Sequence, residues 1–195
     1  MASGTTNAFA DCKAIVGQIT ASGADPSPDL FDDDQYPLPH PEELVRGGWP
    51  KRKDRLGRAI MAASLYNGGH DFADDAKATA ANVQHREYHH LYPRALIQDS
   101  FADHEVNSAL NCVLLSWKTN RKIAAKSPAD YIVERSRYAA VTEEQIRDRL
   151  ESHLVPYDTL EDESGPIKAR YEGYLKARVA RMASHIQKLA ELKVP

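Results

Sequence analysis

Hydrophobic positions recur along this chain at more than one spacing, and the changes between spacings divide it. In the first twenty residues Phe9, Ile15, Val16 and Ile19 form the apolar side of a modest helix. The stretch SGADPSPDLFDDDQYPLPHP follows, and its five prolines deny it both helix and ladder hydrogen bonds, so an extended connector is expected there. A helix is predicted from Pro50, in its first turn, to about Tyr66, with Leu56, Ile60 and Ala63 on one face and NGG as its stop. From about Gln84 the segments shorten. A strand-like piece ends at His89 and His90, a loop follows, and CVLLSW is a run short enough for a buried strand. Ser116 stands at the N-cap of a short helix, so the local order is strand, loop, strand, helix.

Further helices close the chain. SPADYIVERSRYA has Ser127 as cap and Pro128 at the first position, and TEEQIRDRLESHL opens on Thr142 with acids in its first turn. In the last helix Leu175, Val179, Met182, Ile186 and Leu189 alternate steps of four and three, which makes a seam that must be buried. Over barely two heptads such a seam is more often covered within one chain than by a coiled-coil dimer, because sustained coiled coils need more repeats. The expected fold class is mainly α, with a small ββα element embedded in a helical domain. Residues 1–45 are expected to form an N-terminal helix and acidic, proline-rich linker, and residues 46–195 the main domain with its C-terminal helical bundle.

Composition narrows the function classes. The chain of 195 residues is long enough for one core and short for two independent domains. No apolar run approaches the roughly 18 residues of a membrane span. The start shows no basic region followed by an apolar stretch, so a soluble protein without membrane association, cytoplasmic by default, is expected. Cys12 and Cys112 are the only cysteines and no CxxC occurs, which argues against a disulfide framework and a thiolate zinc knuckle. Any metal here must rely on imidazole, carboxylate or amide. The net charge of −3 is unevenly placed: residues 14–45 hold seven acids and no Lys or Arg, while residues 50–58 hold five bases against one acid. Residues 117–126 hold four bases and no acid. Screening confines each charge to about 10 Å at moderate salt, so a basic patch coexists with an acidic total.

The candidate chemistry centres on REYHHLYPRALI. Consecutive residues of a strand point to opposite faces, so His89 and His90 serve one site only if the strand ends there, and Pro93 favours such an end. Asn111 precedes the second strand, and Asn120 follows nine residues later in the first turn of the next helix. That helix start, with Lys118, Arg121 and Lys122, suits a phosphate.

HHLYP, LNCVLLSWKTN and RKIAAKSPADYI resemble the His-Asn-His (HNH) nucleases of ββα-metal fold, in the variant whose final ligand is asparagine. More narrowly, they are similar to the C-terminal nuclease domain of the GmrS/GmrD type IV restriction enzymes and of SspE-like antiphage proteins. The resemblance extends to GGHDF at 68–72 and to YEGYLKARVARMASHI, and covers roughly residues 50–190. It implies that His89 and Asn120 are metal ligands and that His90 is the general base. Asn111 counts with the catalytic residues as the one that holds the loop. Lys118, Arg121, Lys122, Arg94 and Lys126 are then the expected phosphate-binding cations. One imidazole and one amide leave positions for water and phosphate, which favours Mg²⁺ or Mn²⁺ over structural zinc. Double-stranded DNA is the implied substrate. The resembling enzymes carry an N-terminal sensor or NTPase domain with a DGQQR-like motif, which does not occur here, so the chain is expected to be a catalytic domain whose parent protein supplies the sensor.

Three alternatives stay open on the sequence. A shift of one residue makes His89 the base and His90 a packing residue. A non-catalytic nucleic-acid-binding module that kept the fold would bind without cleaving, and a helical interaction domain would show no metal dependence.

Overall fold

Capping chemistry sets where the helices begin. A computed structural model of the protein describes residues 12–13, 15–17, 34, 36–51, 53–73, 75–123, 125–138 and 141–191. The chain divides into two compact units, Met1–Pro39 and His40–Pro195. In the first, residues 12–13 and 15–17 are helical and residues 37–39 of the expected connector are in neither helix nor strand, while residues 1–11, 14, 18–33 and 35 lie outside the described residues.

The second unit starts with α1 (Pro41–Leu44), where the Glu43 carboxylate accepts from the His40 N–H at 2.9 Å. Helix α2 (Arg55–Ser64) begins later than the sequence suggested, because Asp54 and not Pro50 governs its start. Asp54 Oδ1 accepts from Gly57 N at 2.6 Å, while Oδ2 accepts from Gly48 N at 3.1 Å and holds the preceding loop out of helical geometry. A two-stranded antiparallel sheet follows, β1 (Arg86–His90) paired with β2 (Cys112–Ser116) in the register His89↔Val113 and His90↔Cys112. Between the strands lie α3 (Arg94–Ile97) and α4 (Asp103–Val106). Helix α5 (Trp117–Ile123) continues directly from β2, with Ser116 Oγ accepting from Thr119 N at 3.4 Å. Ser127 and Thr142 cap α6 (Pro128–Tyr138) and α7 (Glu143–Glu151) in the same way, at 3.2 Å each. Helices α8 (Tyr157–Glu161) and α9 (Ile167–Glu191) complete the unit. The described architecture is thus mainly helical around one two-stranded sheet.

β2 carries the sheet into the core because both its faces are apolar. Val113 and Leu115 join Phe72, Leu91, Tyr131 and Tyr174 on one side, and Cys112 and Leu114 meet Met61 on the other. Four residues of the predicted seam of α9 are covered within the chain: Met182 is buried, and Leu175, Val179 and Ile186 pack with Leu44, Ile60 and Leu110, while Leu189 lies outside this cluster. On the same helix the fully buried Arg178 donates to the Leu110 carbonyl at 2.5 Å, the Tyr174 hydroxyl at 2.9 Å and the His153 carbonyl at 3.3 Å. These bonds fasten α9 to the residue before Asn111. Among the described residues no helix is long and apolar enough to cross a membrane.

Candidate active site

His89 points inward from β1 and is 5% exposed, its ring edge-on to Tyr131. Helix α5 turns back from β2 and brings Asn120 to it, so that His89 Nδ1 lies 2.7 Å from Asn120 Oδ1. Glu87, two residues earlier on the same face of β1, accepts from Asn120 Nδ2 at 2.7 Å and thereby turns the amide oxygen towards the imidazole. Burial pushes the His89 ring down to about 4, against the Asn120 bond and with the help of His90, so the ring is uncharged at neutral pH. Its Nε2 is buried without a hydrogen-bond partner.

His90 is the last residue of β1 and half-buried. Its ring stacks on Trp49 at a centroid distance of 3.9 Å and 21° between planes, and its Nε2 lies 3.0 Å from Asn107 Oδ1. Burial lowers its proton affinity; Asn107 opposes this, Arg94 lowers it further and Asp103 raises it. Trp49 reaches the ring because its loop is pinned on both sides. Gly48 bridges to Ser108, Ala109 N donates to the Gly47 carbonyl at 2.9 Å, and α2 crosses so closely that a Cβ on Gly57 would stand 2.1 Å from the Gly48 oxygen.

Asn111 is fully buried. Its Oδ1 accepts from Tyr92 N at 2.8 Å, and its Nδ2 donates to the carbonyls of Tyr92 at 3.0 Å and Val106 at 3.1 Å. Three bonds from one side chain therefore fix the chain just beyond His90. This is a loop-holding role without contact to solvent.

The start of α5, expected to suit a phosphate, lies against an anion of the chain's own. This is the buried carboxylate of Asp71 from GGHDF, which accepts from Ser116 N at 2.7 Å and from Thr119 Oγ1 at 2.5 Å. Burial raises its proton affinity, but the bonds from Thr119, Ser116 and Ala73 outweigh this and keep it below the ordinary carboxylate value. The chain's own charge thus complements the helix dipole.

An open cleft of about 500 Å³ exposes the constellation, with Tyr88, His89, His90, Arg94 and Asn120 among its walls. Of the five expected cations only Arg94 lines it, in an exposed pair with Asp103 at 3.0 Å. Lys118, Arg121 and Lys122 are exposed on α5 outside those walls, and Lys118 and Arg121 lie 5.9 Å and 5.2 Å from the Trp117 ring centre. Lys126 is ion-paired with Glu134, which neutralises it locally.

Among the described residues no three His, Cys, Asp or Glu side chains gather into a metal-holding group. As it stands the His89–Asn120 contact is a hydrogen bond from Nδ1–H to the amide oxygen. A hard divalent ion held partly by water would take the place of that proton, the ring then carrying its hydrogen on Nε2. The donor set fits such an ion by its chemistry: one imidazole and one amide oxygen, with no thiolate, would leave most of the shell to water. Glu87, Asn107, Trp49 and Asp71 are the site-building residues to which sequence reasoning gave no role; Glu87 carried a local signal in its strand alternation with His89, and Asp71 lay within GGHDF. No family model, curated protein or solved structure matches this chain.

Proposed function

We propose that the protein is a metal-dependent HNH endonuclease that hydrolyses phosphodiester bonds of double-stranded DNA, nicking one strand at each site. One observation carries the reading: the imidazole of His89 and the amide oxygen of Asn120 converge at 2.7 Å beside the half-buried ring of His90. In this reading His89 and Asn120 hold Mg²⁺ or Mn²⁺. Such an ion would supply neutralisation of the negative charge that grows in the transition state. His90 accepts the proton of the attacking water, and its lowered proton affinity keeps the ring available as a base at neutral pH. Asn111 keeps His90 at the mouth of the cleft, and Arg94, on the cleft wall, binds the phosphate by charge. A single set of these groups addresses one phosphodiester, hence a nick. The one-residue shift fits less well, because His89 is buried against Asn120 while His90 is the more open of the two rings.

The resemblance to GmrS/GmrD and SspE-like nuclease domains supports a role as effector of a modification-dependent restriction or antiphage protein acting in the cytoplasm. Supercoiled plasmid incubated with Mg²⁺, Mn²⁺ or EDTA tests the activity. The expected result is open circular DNA with either ion and none in EDTA; equal conversion in EDTA, or none with any ion, would overturn the reading.

A further inference from the structure

We infer that Asn107 is a positioning residue that fixes His90 in a single tautomer, with the proton on Nε2 and the lone pair on Nδ1. The inference rests on the reading of His90 as the base. Asn107 sits at the end of α4, and its Nδ2 donates to the Asp103 carbonyl at 2.9 Å. That bond decides which end of the amide meets the imidazole: the oxygen faces His90 Nε2 at 3.0 Å. A carboxamide oxygen only accepts, so the ring nitrogen opposite it must donate. In the neutral imidazole the other nitrogen is then bare.

Among the described residues His90 Nδ1 has no hydrogen-bond partner, and it is not among the buried polar atoms that lack one, so it is open to solvent in a residue that lines the cleft. Trp49 completes the arrangement, since its indole lies 21° from the plane of the imidazole at 3.9 Å and opposes rotation of the ring out of that plane. Two contacts from outside β1 thus set both the ring plane and the position of its proton. For a general base this determines which atom can receive a proton from water, and the wrong tautomer presents N–H where a lone pair is needed.

The test reads the tautomer directly. Long-range ¹H–¹⁵N correlation spectra of histidine-labelled protein, with His90 assigned from its missing signals in H90A, should show a protonated Nε2 and a bare Nδ1. In N107L the two nitrogens should move towards averaged tautomers and plasmid nicking should fall about tenfold to a hundredfold, the usual cost of losing an orienting partner. N107D keeps an acceptor for Nε2–H and should keep the proton on that nitrogen, while its negative charge favours the doubly protonated ring and so should move the rise of the nicking rate to higher pH. A proton on Nδ1 in the wild type, or an unchanged tautomer in N107L, would overturn the inference; should N107L fail to fold, the wild-type spectrum decides alone. The two readings separate cleanly. An Nε2–H ring in a protein whose H90A variant nicks at the full rate removes the base assignment and, with it, the positioning role, while an Nδ1–H ring with H90A inactive removes the role of Asn107 alone.

Discussion

His89 Nδ1 and Asn120 Oδ1 stand 2.7 Å apart although 31 positions separate the two residues in the chain. The contact forms because β2 pairs in register with β1 and runs without a break into α5, which turns Asn120 back over the strand that carries His89. Glu87 then orients the amide, and His90 lines the same cleft.

Removal of the His90 ring isolates its chemistry from its packing. His90→Ala is expected to lower plasmid nicking by about 10² to 10⁴, the range for loss of a general base. The variant should still unfold cooperatively on heating, since the ring is half-buried and the loop beyond it is held by Asn111. Full activity in this variant would exclude His90 as the base.

Glycine replacements in two helices should have opposite signs. Gly173→Ala in α9 meets nothing within 4 Å and should stabilise the protein by up to about 1 kcal/mol through helix propensity. Gly57→Ala places a Cβ 2.1 Å from the Gly48 oxygen, so α2 or the Trp49 loop must shift, at a cost of about 1–3 kcal/mol. Urea denaturation measures both, and the Gly57 variant should also nick more slowly because Trp49 is displaced from His90. Stabilisation by both changes would contradict the packing described.

Acid should weaken the fold through buried histidine. His153 is fully buried, its Nε2 lies 2.9 Å from the His70 carbonyl, and burial pushes it down to about 4. The unfolded chain, with an ordinary imidazole near 6.5, binds a proton that the folded state refuses until about 4. The stability attached to neutral His153 is therefore fully present above pH ~6.5 and is lost as pH falls towards ~4, by roughly 3 kcal/mol in all. His153→Gln removes this contribution, so the gap between wild-type and variant stability should shrink by that amount on acidification. A gap that does not depend on pH would show that the ring titrates normally.

What the sequence made legible follows the range of the interactions concerned. Ser116, Ser127 and Thr142 were readable as caps because each bonds an N–H three residues away. The start of α2 was not, since Asp54 prevails over Pro50 by capping Gly57 with one oxygen while the other restrains Gly48, a loop residue itself bridged to Ser108. The four site residues were visible as a spacing pattern, but the groups that orient them were not. Asn107 and Trp49 approach His90 from separate segments, and Asp71 reaches the start of α5 across 45 positions. Counting bases along residues 117–126 also gave no sign that Glu134 neutralises Lys126.

Electron paramagnetic resonance of bound Mn²⁺ tests the central claim most directly. The account predicts one Mn²⁺ per wild-type chain with a nitrogen coupling, loss of that coupling in His89→Ala and much weaker binding in Asn120→Ala. Mn²⁺ bound with the same nitrogen coupling in His89→Ala, or no specific Mn²⁺ binding by the wild type, would contradict it.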